Sequence, residues 1–164
     1  MLDLLPDLFD HDEASLQLLR GDFRQFGARK LFWGEVVTVK CFEDNSKVKD
    51  VLAQPGRGKV LVVDGGGSSR RALLGDMIAQ SAVDMGWQGI VIFGYVRDVA
   101  ALARMDIGIQ ALGAMPIKTA KHGVGEIGVP IDINGVKITA GMQLYADDNG
   151  IAVSDNALDL SFLG

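Results

Sequence analysis

Lys59-Val60-Leu61-Val62-Val63-Asp64-Gly65-Gly66-Gly67-Ser68-Ser69 is the stretch that decides the fold class. The unbroken apolar run from Val60 to Val63 fits a β-strand covered on both faces, as in a parallel sheet flanked by other layers. The glycines that follow predict a sharp loop at that strand's C-terminal end. Ligand sites in open α/β sheets favour that edge.

Working outward, Gly89-Ile90-Val91-Ile92-Phe93-Gly94 reads as a second buried strand. Between the two, residues 70–85 have a helical pattern that Gly75 interrupts and Gly86 ends. Upstream, residues 31–42 are a valine-rich strand, and residues 45–53 a short helix closed by Gln54-Pro55-Gly56. Residues 13–26 carry Leu16, Leu19, Phe23 and Phe26 three or four apart, which predicts an amphipathic helix. Downstream, residues 99–105 read as a short helix, and residues 109–115 and 129–133 as strands. Asn134-Gly135 suits a type I′ hairpin turn, and residues 144–153 look like two strands joined by a second turn. Strand–helix alternation followed by a strand-rich last third implies one mixed α/β domain over 1–164, its sheet holding parallel and antiparallel pairs.

The 164 residues suffice for one sizeable core, and 48% hydrophobic with 23% charged residues is ordinary for a globular protein. Net charge is −5, and the basic stretches Arg70-Arg71 and Lys118 with Lys121 are short, which disfavours direct nucleic-acid binding. The lone cysteine, Cys41, excludes an intramolecular disulfide and reads as a buried structural thiol. The N-terminus lacks the features of a signal peptide. No apolar run approaches the ~20 residues of a membrane span. The expected location is the cytoplasm.

Three segments carry candidate chemistry. Gly65-Gly66-Gly67-Ser68-Ser69 can cradle a phosphate with backbone amides, but it matches neither the P-loop nor the dinucleotide pattern. A tight turn serves equally well. Gly75-Asp76-Met77-Ile78 offers free N–H groups for an anion if a helix restarts at Gly75; Asp76 could instead simply complement the helix dipole. Gly94-Tyr95-Val96-Arg97-Asp98 ends an apolar strand with an Arg–Asp pair at the sheet edge. Arginine grips carboxylates with two parallel hydrogen bonds, and aspartate is a hard ligand for Mg²⁺ or Mn²⁺. The plainer alternative makes Asp98 a helix cap and Arg97 its surface partner. His11, His122 and Glu126 read as surface or loop residues, and Trp33, Trp87 and Phe93 as core or subunit contacts.

Residues 38–45 (Thr-Val-Lys-Cys-Phe-Glu-Asp-Asn) and 58–68 (Gly-Lys-Val-Leu-Val-Val-Asp-Gly-Gly-Gly-Ser) resemble the family of the regulator of ribonuclease activity A and the class II 4-hydroxy-4-methyl-2-oxoglutarate aldolases. Arg70-Arg71-Ala72-Leu73, residues 106–111, Leu144-Tyr145-Ala146-Asp147 and Asn149-Gly150-Ile151 extend the likeness over about residues 7–160. The resemblance implies a swivelling-type α/β/β sandwich with a mixed sheet, usually assembled as a homotrimer.

Some members of that family are inhibitors that bind ribonuclease E. Others are divalent-metal aldolases that split 4-hydroxy-4-methyl-2-oxoglutarate into two pyruvates and decarboxylate oxaloacetate. The aldolase signature resembles Asp-x20-Arg-Asp; here twenty residues separate Asp76 from Arg97, and Asp98 follows. Ala101 stands where that pattern often has glycine. The resemblance implies that the amides of Gly75, Asp76, Met77 and Ile78, with Arg97, hold a 2-oxo acid substrate. It makes Asp98 the ligand of Mg²⁺ or Mn²⁺, and Asp76 the residue that orients water on that metal. Inhibitor-type members lack the aspartate after the arginine, so its presence points to the enzyme.

Overall fold

The computed structural model describes residues 2–163; Met1 and Gly164, the ends of the expected domain, lie outside that range. A parallel core is built from β3 (Phe32–Lys40), β4 (Lys59–Asp64), β6 (Gly89–Val96) and β7 (Gly108–Ala114), adjacent in that order. β5 (Ala72–Leu74) takes the place of β4 beside the C-terminal end of β6, with Ala72 opposite Tyr95 and Leu74 opposite Val96. The antiparallel pair β11 (Gln143–Asp147) and β12 (Gly150–Ser154) extends the sheet beyond β3. Short strands β1 (Gln17–Leu18), β2 (Arg24–Gln25) and β8 (Glu126–Ile127) pair with β12, β7 and β3. The hairpin of β9 (Ile131–Ile133) and β10 (Val136–Ile138) stands apart.

Side chains alternate across the central strands, so both faces are buried. Leu61, Val63, Ile90 and Ile92 face one apolar cluster, which is shared with α2 (Ser46–Leu52) and α3 (Asp76–Asp84). Val60, Val62 and Val91 face the other, formed with β9, β10, β11 and β12. Helices, central sheet and β-layer therefore make the expected α/β/β sandwich. Phe32 lies across the register partners Gly89 and Gly108, where an added Cβ would stand 2.3 and 2.0 Å from its ring. The absence of side chains there is what admits the ring.

The helix expected over residues 13–26 does not form. Helix α1 is Leu4–Asp12, which buries Leu4, Leu5 and Leu8 against Tyr145 and Ala152, with Pro6 tolerated in its first turn. The buried carboxylate of Asp147 accepts the Leu5 amide at 3.0 Å and so serves that helix end from across the chain. Residues 13–26 instead run through a single 3-10 turn, β1 and β2. Residues 70–85 divide into β5 and α3 at Gly75, and the helix after β6 is only α4 (Val99–Leu102). The Asn134-Gly135 turn has φ of 51° and 85°, as a type I′ hairpin requires.

A polar clamp fixes the loop that follows β7. Asp44, 4% exposed, accepts hydrogen bonds from the Ser46 amide and hydroxyl and from the His122 and Val124 amides, at 2.6–3.2 Å. Asn45 joins it, donating to Leu73 O at 3.1 Å while its Oδ1 accepts the Thr119 hydroxyl at 2.7 Å. Burial alone would raise the Asp44 carboxyl pKa, but the accepted hydrogen bonds outweigh it and hold the group well below the usual carboxylate range. A depressed folded-state pKa contributes stability that is present above the unfolded value and lost as pH falls towards the folded one. Asp44→Asn should lower stability at neutral pH by about 1–3 kcal/mol, the cost of leaving buried amides poorly paired. Its unfolding midpoint should also depend less on pH below about 4 than the wild type's. Urea melts across pH 3–7 check this; parallel curves for the two proteins would remove the clamp.

Candidate active site

Strands β5 and β6 run parallel and end together. Arg97 donates its amide to Leu74 O at 2.9 Å, continuing their pairing for one residue past β6. The chain then turns at Asp98, whose φ of 58° and ψ of 41° are left-handed. Asparagine and aspartate are the non-glycine residues that best tolerate this region. The turn carries the Asp98 carboxylate back over Gly75, and Oδ2 accepts the Asp76 amide at 2.9 Å. A Cβ on Gly75 would lie 2.6 Å from that oxygen and 3.2 Å from Arg97 Nε, so the close approach demands glycine. Asp98 occupies the N-cap position of α4 yet makes no side-chain cap bond, which sets aside the capping reading. Its ion pair with Arg97 is long, at 3.9 Å, and the surface-pair reading explains little of the geometry.

Beside this junction lies an open cleft of about 120 Å³. One part of its wall is the first turn of α3, Gly75 to Ile78, with Arg97 next to it. The first helical bond there is Ala79 N–H to Gly75 O, which leaves the Met77 and Ile78 amides at a positive helix end. The Asp76 amide, expected among the substrate-binding groups, is instead committed to Asp98. Asp76's own side chain is exposed on the rim, and Met77 is 83% exposed. The remaining wall comes from Asn45, Lys49, Ala72, Lys118 and Lys121. These lysines were missed as site residues because they lie far apart in the chain, and the Lys118–Lys121 run reads only as a short basic stretch.

The donor set favours a hard ion. Among the described residues no three His, Cys, Asp or Glu side chains gather as a cage. Asp98, with one oxygen held by an amide and its side chain 32% exposed, can offer the other to a hydrated Mg²⁺ or Mn²⁺.

The glycine loop proves to be a structural turn. The Gly65 and Gly67 amides both donate to Phe93 O at 3.1 Å, and the Gly66 amide donates to Asp64 Oδ1 at 3.0 Å, so none remains for a phosphate. Gly66 and Gly67 have φ of 67° and 70°, as a tight turn requires. The Cys41 thiol is buried and pushed up to about 12, first by desolvation and then by Asp44 and Asp64, which makes it an inert core group. His11 stacks on Phe162 at 3.9 Å, away from the cleft, and Glu126 sits in β8 opposite Lys40. Trp87 is buried in the core, whereas Trp33 is 41% exposed.

The chain is 66% identical to a Shewanella oneidensis protein, across 99% of both, that carries the provisional name 4-hydroxy-4-methyl-2-oxoglutarate aldolase. Its structure matches the RNA-processing inhibitor RraA from Thermus thermophilis with a TM-score of 0.93 and 42% identity, covering 98% of each chain. A Geobacillus kaustophilus protein described as S-adenosylmethionine:2-dimethylmenaquinone methyltransferase matches at 0.91 and 40% identity, over 93% of this chain and 95% of that one. The Aldolase/RraA model of the RraA-like family spans residues 5–153, and the chain belongs to that family.

Proposed function

We propose that the chain is a divalent-metal-dependent class II aldolase that cleaves 4-hydroxy-4-methyl-2-oxoglutarate to two pyruvates. It would also decarboxylate oxaloacetate through the same pyruvate enolate. The observation that carries this reading is the convergence of Arg97, Asp98 and the Gly75–Ile78 turn at the joined ends of β5 and β6. The aldolase name carried by a relative at 66% identity supports it.

Asp98 would hold the metal, with Mg²⁺ or Mn²⁺ suiting its oxygen donor. The bound ion supplies Lewis acidity towards the negative charge that develops on the substrate, worth several kcal/mol. Arg97 grips the 2-oxo acid's carboxylate and keeps fixed positive charge beside that developing anion. The Met77 and Ile78 amides orient the same end of the substrate. Asp76, on the rim, can accept a proton at its carboxylate and return it after the C–C bond has broken. Cleavage and decarboxylation each leave electrons on the carbon next to a keto group, so one arrangement serves both. The assembly proposed is a homotrimer, as the family resemblance implies.

A second reading, a protein regulator that binds ribonuclease E, draws on the match to the Thermus inhibitor. As a regulator, the protein should inhibit ribonuclease E near stoichiometry even as Asp98→Asn; wild-type cleavage rates at tenfold excess of protein would remove this reading.

Asp98→Asn keeps the left-handed turn and an oxygen for the Asp76 amide but loses the charge. It should melt close to wild type, yet lose pyruvate release and its stimulation by Mg²⁺ together. Wild-type turnover in that variant would end the metal assignment. For Arg97, lysine retains charge without the planar two-pronged grip. Arg97→Ala should lose tenfold to a hundredfold or more in kcat/KM, corresponding to a charge-assisted hydrogen bond of about 1.5–3 kcal/mol. Arg97→Lys should fall between, mainly through KM. Equal kinetics in all three proteins would leave Arg97 a surface residue.

A further inference from the structure

The cleft has a second cationic wall that the lyase reading leaves unused. Lys49 belongs to α2, and Lys118 and Lys121 to the segment after β7. With Arg97 they bring four cations to a cleft whose single acidic lining residue is Asp76, in a chain of net charge −5. Among the described residues the ion pairs engage Arg29, Arg70 and Arg97, and none of the three lysines.

Exposed lysines are ordinarily a solvated face. Two features distinguish these. They come from separate parts of the chain to one concavity, and the backbone beneath Lys118 and Lys121 is pinned. Thr119, 3% exposed, bonds to Asn45; the Ala72 amide donates to Ile117 O at 2.7 Å; the His122 amide donates to Asp44 at 2.8 Å. Ala72 pairs with Tyr95 of β6 on one side and with Lys118 on the other, so β5 separates Lys118 from the strand that ends in Arg97. Two strand spacings set these backbones roughly 10 Å apart. Extended arginine and lysine side chains can close on the two ends of a five-carbon diacid across that gap.

We propose that Lys49, Lys118 and Lys121 form the subsite for the carboxylate at the substrate's far end. The site then selects 2-oxo dicarboxylates over 2-oxo monocarboxylates of equal length. The inference rests on the lyase reading only in placing the 2-oxo end at Arg97.

Calorimetric titration of the full chain in Mg²⁺ tests it with two probes that lack the 4-hydroxyl group and undergo no retro-aldol cleavage. These are 2-oxoglutarate and 2-oxopentanoate, which has a methyl where the far carboxylate stands. The wild type should bind 2-oxoglutarate about tenfold more tightly or better. Lys49→Gln and Lys118→Gln should each weaken 2-oxoglutarate about three- to tenfold, and their combination more, while 2-oxopentanoate changes less than twofold. Lys118→Arg should restore most of the loss. Equal weakening of both probes, an unchanged preference in the double variant, or binding of neither probe overturns the subsite. A lysine-dependent preference without pyruvate release from 4-hydroxy-4-methyl-2-oxoglutarate would overturn the lyase reading alone. Pyruvate release without that preference would overturn the subsite alone.

Discussion

The Asp76 amide and the Asp98 carboxylate, 2.9 Å apart, tie the start of α3 to the end of β6, and the arrangement of the cleft depends on that tie. It requires a left-handed residue at 98 and no side chain at 75. Left-handed backbone costs a non-glycine residue on the order of 1 kcal/mol, and aspartate limits that cost by bonding locally. The bond spends one Asp98 oxygen on a backbone amide rather than on Arg97, whose nearest nitrogen stays 3.9 Å away. The guanidinium therefore keeps most of its donors for a ligand. A tight Arg97–Asp98 pair would neutralise both groups, leaving the cleft without its anion grip and the neighbouring strand end without a free carboxylate.

The spacing between Asp76 and Arg97 follows from the same geometry. The nine residues of α3, a short turn and the eight residues of β6 carry the chain from one side of the junction, along the sheet, and back to the other. A residue inserted in α3 would rotate its apolar face by about 100°, and one inserted in β6 would exchange its two buried faces. Asp-x20-Arg-Asp is thus the length of one helix–turn–strand unit whose two ends must meet. That is why it is legible in the sequence, and it is legible only to a reader who knows the family, because Asp76 or Arg97 alone looks like any surface residue.

β4 and β6 were legible without that help, since both faces of each are buried and the apolar runs are continuous. Residues 13–26 misled for an instructive reason. Leu16 packs with α1, Leu19 and Phe23 with the β-layer, and Phe26 with the helix-side core. Three clusters draw these residues to different sides of the molecule, so their helical spacing is a coincidence of an extended path. β5 was hidden for another reason. Ala72, Leu73 and Leu74 favour helices, and only the vacancy that β4 leaves beside the end of β6 makes them a strand.

The whole-chain charge was also a poor guide to the cleft. A net charge of −5 argues against a nucleic-acid surface. It says nothing of a concavity, because screening at physiological salt confines each charge to about 8 Å. Within that range a small anion meets Arg97, the lysines and the positive end of α3, and the distant acidic exterior hardly acts on it. A nucleic acid would need such a patch repeated along its backbone, whereas a diacid needs it once. The same four cations that are too few to hold a polyanion are thus enough to hold a small one at both ends.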